Sequence, residues 1–241
     1  MGVRCKALLL AGGMGTRLRP LTDSVPKCLV PVAGKPLLDY WLDALTAADI
    51  VDVLINTHHL REQVRSYIAQ ANATRPLTLT EAWEPALLGS AGTVHANRDW
   101  ADNADAVAII YGDNISTVNL GAMVDFHRSH DDPVTMLVFR TDHPNQCGIA
   151  TLDADDRVIH FVEKPNEPAS NLANAGVYIV NADTWLEIAD MNVRDFGFDV
   201  LPKFVGKMRA FVFDGYHRDI GTPQALAQAE ADAARFFRAA T

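Results

Sequence analysis

The sequence predicts an α/β fold whose central sheet is mainly parallel in the first half of the chain and gains antiparallel strands in the second. Between residues 6 and 111, short apolar runs alternate with segments whose apolar positions recur at helical spacing. After residue 134 the apolar runs are separated by shorter connections. Because nearly continuous apolar strands must be covered on both faces, we expect a Rossmann-like three-layer sandwich.

Each element of the first half follows from its residue pattern. Lys35-Pro36 opens a segment with helical apolar spacing, and further helices are predicted near residues 61–70 and 92–98. The predicted strands are residues 6–11, 51–56, 77–80 and 107–111. In parallel sheets, ligands bind beyond the carboxyl ends of the strands. We therefore expect the loop after residue 11 and Asp113 to share one crevice.

The second half is predicted to extend the same sheet. Its predicted strands are residues 134–140, 148–153, 157–162, 176–180 and 210–213, with a hairpin turn at residues 153–156. A final helix begins with Thr222 as N-cap and Pro223 in its first turn. We expect this helix to pack on the domain or to mediate a homodimer. Because no linker or repeat interrupts the chain, residues 1–241 are predicted to form a single domain.

Composition excludes several classes of function. Hydrophobic residues make up 49% of the chain and charged residues 21%, which is typical of a globular protein with a sizeable core. The net charge of −9 argues against a nucleic-acid or anionic-membrane partner. Neither a signal peptide nor a membrane-spanning run is expected. The three cysteines lack CxxC spacing, so we expect no zinc site and a cytoplasmic location.

A glycine loop follows the first predicted strand and is followed by two cations. Gly12, Gly13 and Gly15 let backbone N–H groups approach an anion, and Arg17 and Lys27 add positive charge. This pattern suits a polyphosphate, although a plain glycine turn is the alternative. The loop lacks the GxxxxGK[ST] pattern of a P-loop. It also lacks the third glycine of a dinucleotide fingerprint, which argues against a nicotinamide-dependent oxidoreductase.

Six motifs, in one order along the chain, resemble those of the sugar-1-phosphate nucleotidylyltransferases. They are LAGGMGTRLRPLT…VPK (residues 10–27), LGSAGT (88–93), YGDN (111–114), FVEKP (161–165), NAGVY (174–178) and GYHRDIGTP (215–223). Within this family the chain resembles the mannose-1-phosphate and heptose-1-phosphate guanylyltransferases. No hexapeptide-repeat segment follows the final helix, so we expect the short form with one catalytic domain. The implied fold is the nucleotide-diphospho-sugar transferase type of α/β sandwich.

The resemblance implies the substrates, the cofactor and the site residues. A sugar 1-phosphate attacks the α-phosphorus of a nucleoside triphosphate, and pyrophosphate leaves. The implied catalytic residues are Arg17, Lys27 and Asp113, and Asp113 and Asp219 are the implied ligands of Mg²⁺. The implied nucleotide-binding residues are Leu10, Ala11, Gly12, Gly13, Gly15, Thr16, Arg17, Lys27, Glu84, Gly89, Ser90, Ala91 and Gly112. The implied sugar-phosphate-binding residues are Gly148, Glu163, Lys164, Asn174 and Gly176.

Each of these residues also has a purely structural interpretation. Asp113 and Asp219 are in positions where aspartate commonly forms turns or caps. Glu163 precedes a proline that ends a strand, and Asn174 precedes an apolar run. With the resemblance, residues from about 1 to 130 become a nucleotide-binding half and those from about 131 to 222 a sugar-phosphate-binding half. Residues 223–241 are then the C-terminal helix.

The base and the sugar remain open at this point. Glu84 stands in the segment where thymidylyl- and uridylyltransferases tend to carry a base-reading glutamine, so we favour GTP. The alternatives are a uridylyl- or cytidylyltransferase acting on another sugar 1-phosphate, an amino-sugar phosphate or phosphocholine, and an inactive nucleotide-sugar-sensing regulatory subunit. Two positions depart from the family pattern: Cys28 beside Lys27, and Asp39 where relatives often carry an apolar residue.

Overall fold

The structure, a computed structural model, describes residues 4–237. Its contacts divide the chain into two compact units, each built from separate segments. We call residues 8–87, 111–120 and 215–237 the glycine-loop unit, because it contains Gly12, Gly13 and Gly15. We call residues 4–7, 88–110 and 121–214 the antiparallel unit.

The described residues form six α-helices and thirteen strands. The α-helices are α1 (Leu37–Ala47), α2 (Arg61–Thr74), α3 (Ser90–Ala96), α4 (Leu120–Arg128), α5 (Ala182–Asp190) and α6 (Pro223–Phe236). The strands are β1 (Cys5–Leu10), β2 (Pro31–Val32), β3 (Lys35–Pro36), β4 (Asp52–Thr57), β5 (Thr78–Trp83), β6 (Ala106–Tyr111), β7 (Asn114–Ser116), β8 (Val134–Arg140), β9 (Gly148–Leu152), β10 (Val158–Glu163), β11 (Leu172–Asn181), β12 (Met208–Phe213) and β13 (His217–Asp219). The predicted α/β class is confirmed.

The glycine-loop unit has the parallel pairing predicted for the first half of the chain. β4 neighbours β1 in the sheet and pairs in parallel with β5, from Asp52 opposite Thr78 to Thr57 opposite Trp83. A separate two-stranded sheet, which the sequence did not predict, pairs β7 with β13 in antiparallel fashion. This pairing matters for function because it connects two segments about a hundred residues apart in sequence.

Helix α6 packs within the glycine-loop unit through its small and aromatic residues. Thr222 accepts a hydrogen bond at Oγ1 from the Ala225 amide at 3.1 Å, which confirms the predicted N-cap. Tyr216 stacks on Phe236 with ring centroids 4.6 Å apart. The apolar cluster beneath the helix comprises Val30, Val32, Leu37, Tyr40, Ile115, Tyr216, Ile220, Ala229 and Ala233. Residues 238–241 of the predicted helix lie outside the described residues, and the homodimer stays a prediction.

Asp39, one of the two departures from the family pattern, has a structural partner set in the glycine-loop unit. Its Oδ1 accepts hydrogen bonds from Tyr67 Oη and Arg75 Nη2, both at 2.5 Å. Arg75 also pairs with Asp43, which lies on α1 together with Asp39. The carboxylate at position 39 therefore joins α1 to the residue that follows α2.

The antiparallel unit contains most of the strands of the second half. β11 pairs antiparallel with β6, β8 and β9, and β9 pairs antiparallel with β10. The predicted turn at residues 153–156 is confirmed, since the Asp153 amide donates to the Arg157 carbonyl at 3.0 Å. One prediction is wrong. β12 pairs with β8 in parallel, because α5 and the turns after it carry the chain back to the starting end of β8.

No helix among residues 4–237 has both the length and the apolar character that crossing a membrane requires.

A buried polar chain in the antiparallel unit makes stability depend on pH. His127 Nδ1 lies 2.8 Å from Thr135 Oγ1, and His127 Nε2 lies 2.9 Å from Asn181 Oδ1. His130 Nε2 contacts the same Thr135 hydroxyl at 3.0 Å. Burial lowers the pKa of both imidazoles. Both rings are therefore neutral in the folded protein over a range where an unfolded histidine is already protonated.

We expect the free energy of unfolding to fall as pH drops below about 6.5, the ordinary histidine pKa. The reason is that the unfolded chain then binds protons that the folded protein excludes. The free energy of unfolding falls by up to about 1.4 kcal/mol per pH unit for each such histidine. Urea unfolding between pH 8 and 5 measures this slope. H127Q should flatten it, whereas H160Q, which changes an exposed histidine of β10, should not. Equal slopes in H127Q and the wild type would refute this account.

Candidate functional site

The glycine loop begins where β1 ends and is fixed there by a side chain from β4. Asn56 Oδ1 accepts hydrogen bonds from the amides of Ala11 at 2.6 Å and Gly12 at 3.0 Å. A Cβ on Gly12 would lie 2.9 Å from Asn56 Nδ2, so only glycine admits this amide group so close. Asn56 was not among the predicted site residues.

The far end of the loop is fixed against Lys27. Gly15 has a φ of 61°, a left-handed conformation that favours glycine. A Cβ at this position would lie 2.8 Å from Thr22 Cγ2 and 3.1 Å from Lys27 Cβ. Thr22 Oγ1 donates to the Gly15 carbonyl at 2.8 Å. The close approach that Gly15 permits therefore places the loop directly beside the lysine stem.

Lys27 is the centre of a charged cluster that brings together four predicted residues. Its Nζ lies 2.6 Å from Asp113 Oδ2 and 3.2 Å from Asp219 Oδ1. Arg17 Nη2 lies 3.5 Å from Asp219 Oδ2. The Lys27 side chain is only 6% exposed, whereas Asp113 and Asp219 are 37% and 53% exposed. Two cations and two carboxylates thus converge beside the glycine loop, and the carboxylates face solvent.

Strand pairing explains why the two carboxylates meet. Asp113 lies between β6 and β7, and Asp219 is the last residue of β13. Asp219 is opposite Asn114 in the β7–β13 ladder, and the Ile220 amide donates to the Asp113 carbonyl at 3.2 Å. Lys27 pairs with Asp113 and lies beside Gly15, so the glycine loop and Asp113 are close in the structure. That they bind one ligand in a shared crevice stays a prediction.

The donor set of this cluster fits a hard divalent cation. Carboxylate oxygens are the ligands that Mg²⁺ prefers, and Mg²⁺ is usually held by one or two carboxylates together with substrate phosphates. Among residues 4–237 no group of three or more potential ligands forms a cage. Two carboxylates that share a solvent-facing cluster match a metal whose remaining ligands come from substrate and water.

Two neighbouring groups are chemically quiet. Cys28 is 1% exposed, and burial raises the pKa of its thiol to about 12, so the thiolate does not form at neutral pH. Burial lowers the pKa of His217 to about 4 against the opposing effect of Asp113, so its ring is neutral. The charge of the cluster is therefore carried by its two carboxylates and two cations.

Four other predicted residues of the glycine-loop unit have different surroundings. Glu84 is buried, directly after β5, and its Oε1 accepts from Asn56 Nδ2 at 3.0 Å. The Gly112 amide donates to the Leu10 carbonyl at 2.9 Å. Gly13 and Thr16 are exposed. Whether each contacts a nucleotide stays a prediction.

The antiparallel unit brings together the predicted sugar-binding residues Gly148 and Glu163, which are opposite each other in the β9–β10 ladder. A Cβ on Gly148 would lie 2.5 Å from Glu163 Oε2. A Cβ on Gly197, which was not among the predicted site residues, would lie 2.9 Å from the same oxygen. Burial raises the pKa of Glu163, and Asp195 adds to the shift while Lys164 opposes it. Two glycines therefore leave just enough room for this carboxylate.

Asn174 lies within β11 and not before it, because the strand begins at Leu172. Its Nδ2 lies 2.6 Å from Tyr178 Oη, and its Oδ1 accepts from the Gly176 amide at 3.0 Å. Gly176 has a φ of 69° and lies where the β11–β8 register is interrupted between Asn174 and Tyr178. The Asn174 side chain therefore contacts residues two and four positions further along its own strand. Lys164 is exposed, and its amide donates to the Cys147 carbonyl at 3.0 Å.

The predicted nucleotide-binding residues Gly89, Ser90 and Ala91 form the start of α3. Gly89 has a φ of 85°, and a Cβ there would collide with the Arg194 carbonyl oxygen. The Ala91 amide donates to that carbonyl at 3.0 Å, and Ser90 Oγ accepts from the Phe196 amide at 2.9 Å. The segment is thereby fixed to the turn at Phe196–Val200, which the sequence did not connect with it.

A comparison of sequences decides the family. The sequence profile of the family described as nucleotidyl transferase matches residues 6–235. The chain belongs to the nucleotidyl transferase family. The predicted resemblance to the sugar-1-phosphate nucleotidylyltransferases is thus confirmed at the level of the family, and the predicted motifs lie within the matched range.

Two curated relatives are consistent with this family. The chain is 32% identical over 233 positions to the mannose-1-phosphate guanylyltransferase of Mycobacterium tuberculosis, covering 95% of this chain and 64% of the relative. It is 32% identical over 260 aligned positions to the glucose-1-phosphate adenylyltransferase of Geobacillus stearothermophilus, covering 96% and 66%. It therefore spans about two thirds or less of the length of these curated relatives.

The fold of this nucleotidyl transferase is also that of a solved structure. A Bacillus anthracis protein, assigned as a glucose-1-phosphate thymidylyltransferase and crystallised in complex with sucrose, matches with a TM-score of 0.83. The match covers 98% of both chains at 24% sequence identity, and it supports the fold alone.

Proposed function

We propose that this protein transfers a nucleotidyl group from a nucleoside triphosphate, preferably GTP, to a sugar 1-phosphate of the mannose or heptose type, releasing pyrophosphate. The observation that carries the proposal is the convergence of Lys27, Asp113 and Asp219 beside the glycine loop. The preference for GTP is supported by curated relatives such as the Mycobacterium tuberculosis and Arabidopsis thaliana proteins, which are named mannose-1-phosphate guanylyltransferases.

The cluster suits the electrostatics of this reaction. Both substrates are anions, and negative charge develops on the α-phosphate and on the leaving pyrophosphate. Catalysis is then mainly a matter of positioning and charge stabilisation. We assign Arg17 to the leaving phosphates and Lys27 to the α-phosphate and the attacking phosphate. No protein general base is needed, because a sugar phosphate is already an anion at neutral pH.

We further propose that Asp113 and Asp219 hold Mg²⁺ during this reaction. Bound there, the ion would supply charge neutralisation and orientation of the phosphate oxygens. The residues of the chain define what the cation meets: two solvent-facing carboxylates whose positions are fixed by the β7–β13 pairing. In the antiparallel unit, we assign Glu163 and Asn174 to hydrogen bonds with the sugar hydroxyls.

A pyrophosphate-release screen of the four nucleoside triphosphates against a panel of sugar 1-phosphates tests the proposal. We expect the highest rate with GTP and mannose 1-phosphate or a heptose 1-phosphate, and none without Mg²⁺. A strong preference for UTP or CTP would overturn the base assignment. Release without any sugar phosphate would refute the transfer reaction, and no release with any pair would favour a regulatory subunit.

Gly148→Ala should impair use of the sugar phosphate selectively. The new methyl group would lie 2.5 Å from Glu163 Oε2 and 2.6 Å from the Phe161 ring, so the carboxylate must move. A displacement of about 1 Å can cost about 10²-fold, and we expect that loss in kcat/KM for the sugar phosphate. The KM of the nucleoside triphosphate should not change.

The matched control is Thr151→Ala on the same strand, opposite His160. It should leave both KM values at the wild-type level. An equal rise of both KM values in Gly148→Ala would show general damage and contradict the role of Glu163.

A further inference from the structure

The first two amides of the glycine loop have a protein partner. Asn56 Oδ1 accepts from both the Ala11 and the Gly12 N–H, at 2.6 and 3.0 Å. Asn56 is 5% exposed, so this contact is shielded from water. Because the carbonyl oxygen of one side chain takes both donors, the direction of the chain as it leaves β1 is set by Asn56.

A second buried residue determines which way the Asn56 amide points. Glu84 is 2% exposed, and its Oε1 accepts from Asn56 Nδ2 at 3.0 Å. A carboxylate accepts hydrogen bonds and does not donate them, so it selects the nitrogen side of the amide and leaves the oxygen side for the loop. Glu84 is itself placed by its backbone, since its amide donates to the Thr57 carbonyl at 2.9 Å.

We infer that Asn56 and Glu84 form a positioning pair for the phosphate-binding loop, a role that rests on the proposed function. The pair acts through the loop backbone and not through contact with the reacting atoms. It explains why position 12 is glycine, since any Cβ there would displace the Asn56 amide. It also predicts a polarity rule: one side chain of the pair must donate and the other must accept.

The polarity rule gives a reciprocal test. In Asn56→Asp, two carboxylates face each other at the 3.0 Å contact and repel, so the loop loses its orientation. Adding Glu84→Gln places an amide donor opposite one oxygen of the new carboxylate, and the other oxygen still accepts from the loop amides. The double variant N56D/E84Q therefore contains the same hydrogen bonds as the wild type, with donor and acceptor exchanged within the pair.

The probe is inorganic tripolyphosphate. Its affinity is measured by isothermal titration calorimetry in the presence and in the absence of Mg²⁺. We expect N56D to weaken binding by at least about tenfold, the scale seen when outer partners of a binding group are removed. We expect N56D/E84Q to recover most of that affinity. The KM of the sugar phosphate should not change.

The matched control is Asn72→Asp. The Asn72 amide also bridges backbone, donating to the Leu79 carbonyl at 2.9 Å and accepting from its amide at 2.7 Å, but it does not touch the loop. It should lower the melting temperature without changing tripolyphosphate affinity. Wild-type affinity in N56D, or no recovery in N56D/E84Q, would overturn the inference. If the wild-type protein binds tripolyphosphate but transfers no nucleotidyl group, the proposed function is refuted and the inference about the positioning pair still stands.

Discussion

Asp219→Asn and Asp113→Asn should each lower turnover by about 10²- to 10³-fold, the loss typical of removing one group aimed at developing charge. The asparagine keeps the size of the side chain but removes the negative charge, so a divalent cation loses a ligand that attracts it. The Asp219 pair with Arg17 is exposed, 53% and 66%, and such pairs contribute at most about 1 kcal/mol to stability. In Asp219→Asn the buried Lys27 ammonium keeps Asp113 as its partner at 2.6 Å. The melting temperature of this variant should therefore change little while activity is lost.

Steady-state kinetics over a range of Mg²⁺ concentrations checks this prediction. Asp125→Asn is the matched control, because Asp125 is 79% exposed and pairs only loosely with Arg128, at 3.7 Å on α4. It should behave like the wild type. Turnover within threefold of the wild type in Asp219→Asn would exclude the two-carboxylate site.

Lys27→Met should have two opposite effects, a loss of transfer and a gain in binding of a divalent cation without nucleotide. The Lys27 ammonium lies 2.6 and 3.2 Å from the two carboxylates, so it offsets part of their negative charge in the free protein. Methionine preserves the buried stem but leaves the two carboxylates with the exposed Arg17, 3.5 Å from Asp219, as their remaining cation. We expect a fall in turnover of about 10²- to 10³-fold, because the phosphates lose their charge partner.

The gain in cation binding appears in thermal unfolding. In EDTA the Lys27→Met protein should melt below the wild type, since the two neighbouring carboxylates then repel each other with less positive charge between them. Adding Mn²⁺ or Mg²⁺ without nucleotide should raise its melting temperature more than that of the wild type, since the cation binds the folded state. Lys35→Met, at an exposed pair with Asp43, should show neither effect. A Lys27→Met protein that melts like the wild type in both conditions would contradict the geometry of the cluster.

Much of the fold could be predicted because buried parallel strands are nearly continuous in apolar residues. Strands β4 and β6 are both buried apolar runs. The predicted range 51–56 is shifted by one residue from β4, and the range 107–111 begins one residue after β6 does. The parallel pairing of β12 with β8 could not be predicted, because an apolar run has the same sequence pattern in either direction. The β7–β13 ladder is three residues long, too short for a periodic signal.

Some residues of the candidate site could be predicted from sequence motifs and others could not. The sequence motifs contain the three charged residues Lys27, Asp113 and Asp219, which is why they were predicted. The structure shows that their side chains converge. Asn56 was missed because an asparagine at the end of a strand resembles any turn residue. Only the folded chain shows that its amide meets the Ala11 and Gly12 N–H groups, forty-five and forty-four residues away in sequence.

Phosphorus NMR of the complete reaction tests the central claim most directly. With GTP, mannose 1-phosphate and Mg²⁺, the account predicts that the sugar-phosphate resonance disappears. Two products should appear in equal amounts: a nucleotide diphosphate sugar, seen as two coupled resonances, and pyrophosphate, seen as a single resonance. Pyrophosphate or inorganic phosphate that accumulates while every sugar 1-phosphate tested remains unchanged would contradict nucleotidyl transfer by this protein.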